Sequence, residues 1–131
     1  MSEENVASTH RFFAAFNARD LDAMVAEVEP DTEFYPLRAQ LENKAYVGPE
    51  GLKEMFADFD QDWEYIRIEF DELLEREDLV VALCRLHARG IASRVDLEVP
   101  MGFVLRFEGS RLVYSRSYSE QADALRAAGL G

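Results

Sequence analysis

The chain has 131 residues, 48% hydrophobic and 31% charged, which suits one globular domain burying roughly two-thirds of its extended surface and excludes a disordered chain. Asp and Glu number 26 against 14 Lys and Arg, a formal net charge of -12, which opposes binding to nucleic acid or to anionic membranes. No apolar run approaches the ~18 residues of a membrane helix, and the start, Met1-Ser2-Glu3-Glu4, is neither basic nor apolar, so the expected location is the cytoplasm.

In chain order, a first helix is predicted from Glu3 to Asn17, with Ser2 as its N-cap and an apolar stripe of Val6, His10, Phe12, Phe13 and Phe16. Asp20 caps a second helix with Leu21, Met24, Val25 and Val28 on its buried side, ended by Pro30. A short strand, Thr32 to Tyr35, stops at Pro36, and a loop leads through Tyr46 and Val47 to Gly48-Pro49. Pro49 suits the first turn of a third helix, in which Leu52, Met55, Phe56, Phe59 and Trp63 recur every three or four residues.

From Tyr65 the period changes to two. Strands are expected over Tyr65 to Leu74, Leu79 to Arg89, Arg94 to Phe107 and Arg111 to Tyr118, separated by polar or glycine-bearing turns. Ser117 or Ser119 then caps a last helix that Gly129 ends. Centring the long hairpin between Ile91 and Ala92 sets Arg85 opposite Glu98 and His87 opposite Asp96. Val80, Ala82, Cys84, Leu86 and Ala88 then share a face with Val95, Leu97, Val99, Met101, Phe103, Leu105 and Phe107. A one-residue slip would mix the charges into the apolar side. Cys84, alone in the chain, makes no internal disulfide and reads as a packed small hydrophobe.

Several stretches carry a resemblance: Phe16-Asn17-Ala18-Arg19-Asp20-Leu21, Asp31-Thr32-Glu33-Phe34-Tyr35-Pro36, Tyr46-Val47-Gly48-Pro49-Glu50-Gly51, and Glu108-Gly109-Ser110-Arg111-Leu112 through Arg116-Ser117-Tyr118. They are mostly turns and caps, and their order resembles the SnoaL-like branch of the nuclear transport factor 2 superfamily over nearly the whole chain. The resemblance implies one SnoaL-like domain over residues 1–131 with an α+β fold. In it a cone-like, curved antiparallel sheet carries the N-terminal helices over its concave face and encloses an apolar cavity. It also implies a homodimer through the outer sheet face. Relatives include ketosteroid isomerases, polyketide cyclases and limonene epoxide hydrolases.

Matched by position, the isomerase machinery is missing. The first-helix tyrosine of that family falls on Phe12, its general-base aspartate on Tyr35, and its protonated aspartate on Phe103. The epoxide hydrolase's last-strand aspartate falls on Ser117. The resemblance turns Glu33 and Tyr35 inward, where a carboxylate beside an apolar wall has a raised pKa and serves as a base. These two are the catalytic candidates. The ligand-pocket candidates are Phe16, Tyr35, Tyr46, Phe59, Trp63, Met101, Phe103, Arg116 and Ser117. The last strand has two readings: the resemblance sends Ser115 and Ser117 inward, whereas simple pairing across Gly109-Ser110 sends Tyr114, Arg116 and Tyr118 inward, and a bulge would reconcile them.

Two isolated histidines supply no usual metal ligand set, so neither metal nor cofactor is expected. Three functions compete. The first is a pocket for a small apolar molecule. The second is a cyclase- or isomerase-type enzyme using Glu33 as base. The third is a homodimerising domain with a filled core.

Overall fold

Aromatic residues at helical spacing give the first helix its shape and its place. In the computed structural model, which describes residues 2–131, α1 (Ser2–Ala18) buries Phe12, Phe13 and Phe16 against the sheet. The cap expected at Ser2 falls outside the described side chains. His10, placed on the apolar stripe by its spacing, is exposed and meets Phe70 edge-on, ring centroids 5.4 Å apart. Arg19, at φ 61°, breaks the helix, and the Asp20 carboxylate accepts from the Ala23 N–H at 3.1 Å to start α2 (Leu21–Val25).

That helix is shorter than its apolar pattern suggests. Val28 already opens β1 (Val28–Tyr35), pairing with Leu112, and the ladder then slips until Glu33 pairs with Tyr114. Pro30 therefore lies at an irregular stretch of strand, where its missing donor costs nothing. The segment read as loop holds α3 (Leu37–Leu41) and β2 (Tyr46–Val47). Pro36 precedes a run of good helix formers, and Ala39 is fully buried beneath it. Then α4 (Gly48–Asp62) starts on a glycine at φ +66°, where a Cβ would lie 2.1 Å from the Pro30 carbonyl oxygen.

The remaining strands are β3 (Trp63–Arg76), β4 (Leu79–Gly90), β5 (Asp96–Glu108) and β6 (Arg111–Tyr118). They form one six-stranded sheet in the order β2-β1-β6-β5-β4-β3. The β1–β6 pair is parallel and every other pair antiparallel, so the sheet is mixed where an antiparallel one was expected. The long hairpin keeps its predicted faces but moves two residues in register: Arg85 pairs with Pro100, His87 with Glu98 and Arg89 with Asp96. A wider turn, with Arg94 at φ 58° and Arg94 N–H bonded to the Gly90 carbonyl at 3.0 Å, absorbs the shift. An even shift leaves each side chain on its own face.

Helices α1 and α4 close over the inner face, and the main core lies between them and the sheet. The last helix, α5 (Gln121–Ala127), crosses to the outer face, where Ala124 and Ala128 pack on Val81, Leu83 and Val104. Its N-cap is Glu120, without a side-chain cap bond, because Ser117 remains inside β6 and cannot reach. Its end is a Schellman turn: Gly129 at φ +77°, with the Leu130 N–H bonded to the Leu125 carbonyl at 2.8 Å. Among the described residues no helix is long and apolar enough to cross a membrane.

Candidate functional site

Between α1, α4 and the inner sheet face lies a cavity of about 270 Å³. The α1 rings Phe12, Phe13 and Phe16 form one wall, with Phe34 of β1 stacked on Phe12 at a centroid distance of 5.8 Å. Met55 and Phe59 of α4 form a second wall, and Ile66, Ile68, Leu86, Met101 and Phe103 make the floor. Such a volume is nearly twice the ~150 Å³ that holds benzene in an apolar core, room for a fused two-ring skeleton.

The polar groups inside are few. Ser115 and Ser117, both buried on β6, face the cavity, and among the described residues neither hydroxyl has a hydrogen-bond partner. Their direction comes from a bulge. Phe107 pairs with Leu112, but Arg106 pairs with Tyr114, leaving Val113 unmatched. That extra residue returns the serines to the face shared with Phe103 and Leu105, and sends Tyr114, Arg116 and Tyr118 outward. The two readings of the last strand are thereby reconciled in favour of the serines.

Several expected positions move. Phe34 pairs with Ser115 and is buried, so its neighbours Glu33 and Tyr35 point to the outer face. Glu33 is exposed and accepts a hydrogen bond from the Tyr35 phenol at 2.8 Å. That bond is the first cause of a raised Tyr35 pKa. Tyr35 touches the cavity at its margin while its ring lies 5.6 Å from that of Tyr114 and beneath Arg116. Glu33 is therefore not the cavity base expected of it, and Arg116 is not a cavity cation. Tyr46 is buried, but its hydroxyl donates to Asp58 on α4, and burial followed by that bond pushes its pKa up. It fastens β2 to α4 and does not line the cavity. Phe16, Phe59, Trp63, Met101, Phe103 and Ser117 do line it.

The charged pair at the mouth was missed in the sequence, although Trp63 was expected in the pocket. Arg38 of α3 pairs there with Asp62 at the end of α4, beside Leu37, Pro36 and Trp63. Gln40 fixes α3 to the sheet by donating to the Tyr35 and Ser117 carbonyls, both at 2.8 Å. On the far side, Asn17 fixes the end of α1: its amide donates to the Ile68 carbonyl and accepts from the Ile68 N–H, each at 2.8 Å. The signal for α3, which carries Arg38, lay in the helix formers after Pro36.

Of the positions that matched the machinery of the enzymes, Phe12, Phe103 and Ser117 face the cavity and Tyr35 stands at its margin, and none of the four is a carboxylate. Cys84 is buried on the inner face of β4, and burial pushes its thiol up to about 12, away from the reactive thiolate. Among the described residues no three His, Cys, Asp or Glu gather as metal ligands.

The sequence model of the SnoaL-like domain matches residues 9–115. No curated protein matches. Among solved structures, an NTF2-like protein of unknown function from Burkholderia pseudomallei is 19% identical with a TM-score of 0.81, covering 95% of this chain and 97% of its own. TerC, co-crystallised with polyporic acid, is 16% identical with a TM-score of 0.80 over 95% and 97%. A Catenulispora acidiphila protein with a ketosteroid isomerase-like fold, in complex with trimethylamine, is 17% identical with a TM-score of 0.75 over 95% and 93%. At these identities the likeness is one of fold.

Proposed function

We propose that this chain, which belongs to the SnoaL-like domain family, binds a small apolar molecule in the cavity between α1, α4 and the sheet. One observation carries this reading: an aromatic-walled hollow of about 270 Å³ whose inner polar groups are two serine hydroxyls without a partner among the described residues. Apolar walls supply the affinity, and a few placed hydroxyls orient the occupant. A core filled solid would leave no such space. An enzyme using Glu33 as base is not favoured, because that carboxylate is exposed on the opposite face. The fold neighbours in complex with polyporic acid and with trimethylamine are consistent with small-molecule binding in this architecture.

The test is calorimetric titration of 2-naphthylmethanol, a fused two-ring alcohol, into the parent and into Phe103→Asp. A carboxylate forced into the apolar floor either stays ionised at a large desolvation cost or draws water in, so affinity should fall at least ~10-fold. Equal affinity in a variant with parent-like circular dichroism removes the pocket assignment.

Association through the outer sheet face belongs to the same proposal. Its support is a strip of Tyr35, Tyr114, Arg116 and Tyr118 on β1 and β6, in which Arg116 lies 5.7 Å and 5.9 Å from the Tyr35 and Tyr118 rings. Tyrosine and arginine are the residues that interfaces favour.

A further inference from the structure

Resting on the pocket reading above, we propose that the occupant is an organic ammonium, its apolar body inside the cavity and its protonated amine at the mouth beside Asp62 and Trp63. The walls are rich in phenylalanine, and Trp63 stands at the rim next to Asp62. Ring faces carry the negative side of the aromatic quadrupole and attract a cation placed over them, most strongly at tryptophan. The chain's net charge of -12 raises the concentration of cations near its surface and lowers that of anions.

The mouth gives the sign of the preference. Its charged pair is Arg38 with Asp62, both about half exposed and so free to exchange partners. Arg38 has a second carboxylate within reach, Glu42 at 3.8 Å, one turn along α3. If a ligand ammonium takes Asp62, Arg38 retains Glu42 and every charge keeps a counter-charge. If a ligand carboxylate takes Arg38 instead, Asp62 and Glu42 are both left unpaired beside a third anion. Among the described residues Arg38 is the one cationic side chain that lines the cavity. Inside, the lone pairs of Ser115 and Ser117 accept equally well from a donor on the ligand.

The experiment is calorimetric titration at pH 7 with three compounds of one skeleton: 2-naphthylmethylamine, 2-naphthylmethanol and 2-naphthoate. The amine should bind about tenfold tighter than the alcohol, from the aromatic and carboxylate contacts together, with the carboxylate weakest. Asp62→Asn should bring the amine to the level of the alcohol. Arg38→Gln should leave the amine at least as tight, because Asp62 is then unpaired. An amine no tighter than the alcohol, or a preference that survives Asp62→Asn, overturns the ammonium assignment and leaves the pocket standing. Loss of amine binding in Arg38→Gln, or a carboxylate that binds tightest to the parent, overturns it independently, should Asp62→Asn fail to fold. Failure of all three compounds to bind the parent overturns the pocket reading itself.

Discussion

Glu27 ties the first helix to the chain leaving α2: Ser8 donates to one of its oxygens at 2.7 Å and the Arg11 guanidinium to the other at 2.8 Å. The Arg11 hydrogen bond, outweighing the partial burial that acts the other way, holds its carboxyl below the usual range. A folded pKa below the unfolded one means that the ionised form favours the fold. The contribution is whole above the unfolded value of about 4.3 and fades as the pH falls through the folded one. Because Arg11 is largely exposed, water screens the pair, and Glu27→Gln should cost about 1 kcal/mol at pH 7. The gap between the urea midpoints of parent and variant should narrow steadily as the pH falls through the lowered folded value. A gap that does not change on acidification assigns the loss to packing and not to charge. At this scale the sequence was most misleading where a resemblance overruled alternation. Phe34 is the one wholly apolar side chain of Thr32-Glu33-Phe34-Tyr35, and it is buried together with Thr32. Turning Glu33 inward would have turned Phe34 outward.

Among the elements, β6 depends on one unmatched residue. Deleting Val113 removes the extra residue but leaves Leu112 opposite Phe107 and Tyr114 opposite Arg106, so the serines keep the cavity face. The deletion should therefore fold and cost less than ~3 kcal/mol, as a denaturant midpoint would record. Val113→Ala keeps the bulge and should cost less than ~1.5 kcal/mol. A deletion that unfolds the chain assigns the bulge a further role, the bend it gives the strand. Periodicity gave α1, α4 and the four long strands because their apolar faces are wide and regular. The short elements were not legible for a physical reason. Helix α3 has five residues, too few to show a period, and is held by Gln40 and by burial of Ala39. The hairpin register could not be read either. Charge sorting fixes the face but is blind to a shift of two, which the backbone of the Gly90–Val95 turn decides.

For the whole molecule, the charge ladder of the outer face is largely settled within the chain. Arg85 reaches Asp71 at 3.4 Å and Glu98 at 3.3 Å, and His87 contacts Glu69 at 2.7 Å. Arg116 has tyrosines around it and, among the described residues, no carboxylate. If a second copy docks on this face, Arg116→Glu should shift sedimentation velocity profiles toward monomer by raising the dissociation constant at least ~10-fold. A parent that sediments as a monomer at every concentration ends the dimer proposal. The layout was legible from the sequence because the order of helices and strands constrains it strongly; the chemistry was not, since it lives in the cavity lining. The bond pair between Asn17 and Ile68 has a consequence beyond anchoring a helix. Strand β3 is the long margin of the sheet, and each free N–H and C=O along it invites another chain to add itself there. The Asn17 amide mimics the peptide group of a neighbouring strand at the middle of that margin. It thus serves as a one-residue stopper against strand-by-strand aggregation.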